Sequence, residues 1–416
     1  MPISFAKTNP MPFAENYNRL SHMLPTIKGL AILMVVTYHL WQYSKGSSSF
    51  SQILAASQKY GFKSLVESLL STLCLIGEQG VHFFLIASGF GLAASWWQRY
   101  QVSKQKPTSS DVILFWQRRA LRLLPLYWLA NLLALGLVLI KPDYVPYGQE
   151  IFAQGGIAVW AAILASLTTL RNVISKYYFF LNGAWWYVGL SIQLYLVFPL
   201  LIWFGKRWGW SKLLVATLLF SLGYRLLIVF LPLDTLTTDI LLRGALFPSR
   251  LFEFVFGIVL AIALLKSQNL NLVNIKKNSN FYLLIQNLLF ERRWLGLHIF
   301  LLILGLACHW SSSEMWSILR VPADALIGVG EFCLVFQIMT ILTIPKKWLD
   351  VLGNYSYGIF LTHMNIFVGL WTVLNTVISF YWLRLAIVIM ITCTLGIFVE
   401  LCYNWVTKQY LSNKSA

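Results

Sequence analysis

Apolar runs of about twenty residues follow one another along almost the whole chain, and this succession leaves few folds open. A helix rising 1.5 Å per residue needs about 20 residues to cross hydrocarbon, where every backbone N–H and C=O must be satisfied within the protein. Candidate spans are 24–43, 73–97, 120–141, 155–171, 185–204, 212–231, 245–265, 294–310, 323–344, 353–375 and 382–405. The chain is 58% hydrophobic and only 11% charged, with a mean hydropathy of +0.67, which excludes an ordinary soluble domain. The expected fold is an all-α polytopic integral membrane protein of about 10 transmembrane helices, with one extra re-entrant or surface apolar segment. In this reading 1–23 is a cytoplasmic tail, 24–405 a single membrane domain and 406–416 a second cytoplasmic tail.

The doubtful run is 155–171, and sidedness decides it. The connection 98–119 holds Arg99, Lys104, Lys106, Arg118 and Arg119, which places it in the cytoplasm by the positive-inside rule. If 155–171 does not cross, Lys206, Arg207, Lys276, Lys277, Arg292, Arg293, Lys346 and Lys347 also fall inside. If it crosses, all of them move outside. Ten crossings with both termini cytoplasmic follow, as in a multi-pass protein of the cell membrane, here the bacterial inner membrane. Only 44–72 disagrees, with Lys45, Lys59 and Lys63 on the outer side. The 266–293 connection is polar and reads as a loop. The net charge of +17 belongs with anionic membrane lipids rather than with nucleic acid. Five cysteines scattered through apolar runs, with no CxxC, suggest neither a metal site nor a disulfide.

Ionisable side chains within these runs are the functional candidates, because lipid rejects them. The first run, LPTIKGLAILMVVTYHLWQY, holds Lys28 and His39. Eleven residues apart, they share nearly the same side of a helix, roughly 16 Å apart along its axis. Lys28 alone also suits a lysine whose stem reaches to the head groups, and His39 a satisfied core histidine. In FWQRRALRLLPLYW, Arg119 and Arg122 share a helix face that can grip phosphate oxygens or simply anchor the span. GVHFFLIASGF contributes His82, Ser88 and Gly89; the 185–201 run contributes Ser191, Gln193 and Tyr195; RLFEFVFG pairs Arg250 with Glu253; GNYSYGIFLTH adds His363. His298 and His309 show no partner pattern and read as structural.

Taken in order, these stretches resemble the membrane-bound acyltransferase 3 family, O-acyltransferases acting on sugars and polysaccharides. The resemblance runs from about Leu24 to Tyr403. His39 matches the histidine of the family's first span and Lys28 the arginine before it. Residues 80–90 match GVDLFFVLSGF, with His82 for the aspartate. Arg118, Arg119, Arg122, Pro125, Tyr127 and Trp128 match RRxxRxxPLYW, and Arg250, Glu253, Phe254 and Gly257 match RxxEFxxG. Ser356, Tyr357 and His363 match SYSLYLxH. The two glutamates of WSLSVEEQFYLLFPLL are replaced by Ser191 and Ile192.

The resemblance implies transfer of an acyl group, by default acetyl, from cytoplasmic acyl-CoA to a hydroxyl of a sugar or polysaccharide acceptor, with no bound cofactor and no metal. On the matching positions, His39 and Lys28 are the catalytic candidates, and Arg119, Arg122 and Tyr127 the acyl-CoA-binding ones. Ser88, His82, Gln193, Tyr195, Glu253 and His363 are expected to line the pore or the acceptor site. His39 would act as general base, or be acylated itself. Because ten spans with a polar interior also suit a pathway, a transporter or export component for a glycan or acylated glycan is the alternative.

Overall fold

The structure, a computed structural model, describes residues 12–46, 50–57, 61–102, 107–268, 279–311, 317–342 and 346–414. Lys59, Lys104, Lys106, Lys276 and Lys277, used above for sidedness, lie outside the described residues. The described residues are largely helical: α1 (Pro12–Lys45), α2 (Phe50–Ser57), α3 (Gly61–Ile76), α4 (Gly80–Trp97), α5 (Ser109–Ile140), α6 (Gln149–Gln154), α7 (Gly156–Leu167), α8 (Trp186–Trp208) and α9 (Trp210–Phe230). Then follow α10 (Thr235–Arg243), α11 (Leu251–Gln268), α12 (Ser279–Phe290), α13 (Leu295–Trp310), α14 (Arg320–Ile341), α15 (Lys347–Asn354), α16 (Ser356–Leu374) and α17 (Tyr381–Lys414). Among the described residues 10 helices are long and apolar enough to cross a membrane, and α7, with 12 residues, is too short. The protein is thus an all-α multi-pass membrane protein, and the doubtful run is the non-crossing segment expected from the sequence.

Two elements differ from the sequence reading. The second span is a broken helix, Ser64–Tyr100, in which the short turn Gly77–Gln79 separates α3 from α4. The 266–293 connection is not all loop: α12 buries Tyr282, Ile285, Gln286 and Leu289, an i, i+3, i+4, i+7 stripe that holds it against the bundle.

Local chemistry sets several helix ends. Thr108 and Asp111 form a reciprocal capping box that starts α5, so Arg119 and Arg122 stand about three turns inside the helix rather than at its entry. Small residues set how closely helices cross. A Cβ on Gly89 would lie 2.0 Å from the Phe254 carbonyl oxygen, and one on Gly257 would lie 2.1 Å from that of Ile86. Helices α4 and α11 therefore touch backbone to backbone, the packing that substitutes for a hydrophobic drive inside lipid.

Two apolar clusters fill the interior. One gathers Phe83, Ile86, Phe90, Phe198, Phe254 and Phe332, chiefly from α4, α8, α11 and α14. The other gathers Val36, Trp41, Tyr127, Trp185, Ile359 and Phe367, chiefly from α1, α5 and α16. Val81, Phe84 and Tyr187 pack against both. The polar side chains singled out above collect along this seam.

Candidate active site

Two cavities open along the seam. The larger, about 520 Å³, is lined by Lys28, Ser88, Arg119, Arg122, Ser191 and Tyr195, together with Tyr357, Phe360 and Glu400. Three cations face one carboxylate there, an environment suited to an anionic, elongated ligand. The smaller, about 50 Å³, is lined by Tyr38, His39, Glu78, His82, Arg243 and Asp324, with Phe360 again in its wall. Lys28 and His39 share a side of α1, as their spacing requires, yet they open onto different cavities with Phe360 in the wall of both. Their relation is that of two chambers back to back rather than one channel with two ends.

His39 is half-buried, and its ring meets that of His363 with centroids 5.1 Å apart. The hydrogen bonds fix both tautomers. His363 Nδ1 lies 2.8 Å from the Phe360 carbonyl oxygen, which can only accept, so Nδ1 carries the proton. A neutral His363 then has a lone pair on Nε2, which lies 3.1 Å from His39 Nδ1. His39 Nδ1–H is therefore the donor. What remains on His39 is an unprotonated Nε2, on the ring edge not engaged by His363. The sequence expected His363 to line the passage; instead it stands behind His39, fully buried, and orients it.

The small cavity is walled by charge. Arg250 Nη1 lies 3.4 Å from Glu253 Oε1, the i, i+3 pair expected from RLFEF, but its nearer partner is Asp324, at 2.9 Å. Asp324 also pairs with Arg225, and His82 lies 3.4 Å from Glu253 and 3.9 Å from Asp324. Across the cavity Arg243 bonds Glu78 at 2.8 Å and Asp239 at 2.6 Å, and Arg320 bonds Asp239 at 2.8 Å. Outside the spans, Asp239 is held below its ordinary range: burial raises it, but Arg243 and Arg320 outweigh burial. Arg243 is raised well above the ordinary arginine range, because Glu78 and Asp239 overcome the opposing effect of burial.

The remaining expected residues are distributed as follows. Ser88 and Tyr195 line the large cavity and His82 the small one, while Glu253 pairs with two of the small cavity's lining residues. Tyr127, expected to bind the donor, lines neither cavity. It is completely buried, and its hydroxyl donates to the Ser166 carbonyl at 2.8 Å, tying α5 to α7. Gln193, expected in the pore, bridges the Ala245 carbonyl and the Phe247 N–H, both at 2.9 Å, and fixes the loop before α11. His309, read as structural, in fact lines the small cavity and lies 3.5 Å from Glu78.

Sequence reasoning missed Glu78, Arg225, Arg243, Arg320 and Asp324. Glu78, Arg225 and Asp324 were findable as ionisable residues inside apolar runs. Arg243 and Arg320 sit at helix ends, where charge is ordinary, and only the fold brings them to the others. Among the described residues no group of histidine, cysteine or carboxylate side chains could hold a metal ion.

A family model described as an acyltransferase domain, acyltransferase 3, matches residues 24–401. No curated protein and no solved structure matches the chain. The family match spans nearly all of the bundle, including both cavities and the His39–His363 pair, so the chain belongs to the acyltransferase 3 family and is a membrane acyltransferase.

Proposed function

We propose that this protein moves an acetyl group from cytoplasmic acyl-CoA to a hydroxyl of a sugar or polysaccharide, with His39 as general base. It would do so in the bacterial inner membrane, both termini and the large cavity facing the cytoplasm. The observation that carries the reading is the chain Phe360 carbonyl–His363–His39, which turns His39 Nδ1–H toward His363 and leaves Nε2 as the base nitrogen of a histidine lining the small cavity.

On this reading the CoA phosphates rest among Lys28, Arg119 and Arg122, and the pantetheine arm reaches along the large cavity toward Phe360. The acceptor hydroxyl approaches from the small cavity. His39 takes its proton as the oxygen adds to the acyl carbon, and the His363 hydrogen bond steadies the imidazolium that forms. A lysine at position 28 supplies a point charge rather than a planar fork, which suits a phosphate held without bidentate geometry.

The test is purified protein with labelled acetyl-CoA and a panel of host glycans, read by mass spectrometry. His39→Ala is expected to abolish transfer while the protein still folds and accumulates. Near-full transfer by that variant would remove His39 from the chemistry. Movement of a labelled acyl-glycan across liposomes without transfer would favour the export reading instead.

A further inference from the structure

Proton removal by His39 leaves the thioester carbonyl oxygen without a partner. As the acceptor oxygen bonds to the acyl carbon, its proton goes to His39 Nε2, and the carbonyl π pair moves onto the oxygen. That oxygen is then an alkoxide. When it re-forms the carbonyl, the C–S bond breaks, and the CoA sulfur leaves as thiolate and takes the proton from the His39 imidazolium, which gives the free thiol and returns His39 to its neutral form. In a site shielded from water the alkoxide needs a donor already aimed at it.

We infer that Arg243 is that donor, presenting its guanidinium to the acyl oxygen in the small cavity beside His39; the inference rests on the acyl-transfer reading above. Arg243 and His39 line the same cavity. The guanidinium is fixed in place. Its Nη1 donates to Glu78 at 2.8 Å and its Nε to Asp239 at 2.6 Å, and Asp239 is itself held by Arg320. Neither carboxylate engages Nη2. The Tyr38 oxygen accepts from the same guanidinium, and its O–H remains a further donor beside it.

The other cations are placed differently. Arg225, Arg250 and Arg320 line the same cavity, but Arg225 and Arg250 both pair with Asp324, with side chains 4% and 10% accessible, and Arg320 is tied to Asp239. The Arg243 side chain is 38% accessible and lines the cavity. Lys28 belongs to the other cavity. The two carboxylates also keep Arg243 charged at any working pH, so it can meet the alkoxide without a proton-transfer step.

Full-length protein in lipid nanodiscs, with acetyl-CoA as donor and the same panel of host glycans as acceptors, tests this. Arg243→Ala is expected to lower kcat by about 100- to 1,000-fold, the usual loss for one oxyanion donor, with the acetyl-CoA KM within about twofold of the parent. Millimolar guanidinium should restore a part of that kcat in Arg243→Ala and none in His39→Ala. An unchanged kcat, a loss confined to KM, or no guanidinium response in a variant whose thermal transition matches the parent would overturn the assignment. Should Arg243→Ala not fold, Arg243→Lys decides: a kcat reduced at least tenfold sustains the role, and an undiminished kcat ends it. If the parent itself turns over no acetyl-CoA, the acyl-transfer reading has failed; an active parent with an equally active Arg243 variant fails the inference alone.

Discussion

His363 does its work through a proton position. With its Nε2 lone pair facing His39, the His39 ring is held with hydrogen on Nδ1. Remove it, and the Nδ1–H tautomer loses its partner in a poorly hydrated site. His363→Ala is therefore expected to lower kcat by about a hundredfold while leaving the acetyl-CoA KM unchanged, since an unoriented base loses much of the gain from proton transfer. Steady-state kinetics on the folded variant checks this; an unaltered kcat would reduce His363 to packing. The two histidines illustrate what a sequence can and cannot disclose. Each is conspicuous as an ionisable side chain in an apolar run. Their contact spans 324 residues, and no local spacing encodes it. Tyr127 shows the converse: its place in a matched motif suggested a ligand contact, but its hydroxyl is consumed by Ser166.

Helices, unlike their partnerships, were legible, because hydrophobic length alone sets a span. The number of crossings followed from charge distribution, and α7 falls short of crossing as expected. The break before α4 was not legible: GEQG is too short to interrupt an apolar run visibly, yet it is what places Glu78 against Arg243. Likewise α12 escaped notice because its stripe is short and flanked by polar residues. At this scale the α4–α11 crossing is the most constrained joint. Gly89→Ala puts a methyl group onto a backbone oxygen that cannot rotate away, and a loss of about 1–3 kcal/mol is expected from such overpacking. Gly91, on the same helix, has open space where a Cβ would stand. A thermal-shift comparison in one detergent should show Gly89→Ala destabilised and Gly91→Ala close to the parent; equal transitions would mean that the crossing is looser than drawn.

Across the whole molecule, two apolar clusters meet along a seam, and the seam carries both cavities. Donor binding and chemistry are consequently separable. Arg119→Ala and Arg122→Ala, on the large cavity, are expected to raise the acyl-CoA KM several-fold with kcat nearly intact, as loss of uniform binding does. Initial-rate kinetics over a range of acetyl-CoA decides; unmoved donor kinetics would return both arginines to the role of topology anchors.

The charge network also bears on how such a chain is made. Arg225 in α9 finds its acid only in Asp324 of α14, 99 residues later. Arg250 pairs with the neighbouring Glu253 but its closer contact is the same Asp324. During synthesis α9 therefore reaches the bilayer carrying a cation whose neutralising partner has yet to emerge from the ribosome. An unpaired charge opposes insertion by at most about 2.5–3.5 kcal/mol, the mid-span figure, and by less at Arg225, which lies in the last third of α9. Pairing of Arg225 and Arg250 with Asp324 therefore couples the settling of α9 and α11 to that of α14. Biogenesis, as much as catalysis, is written into that one carboxylate.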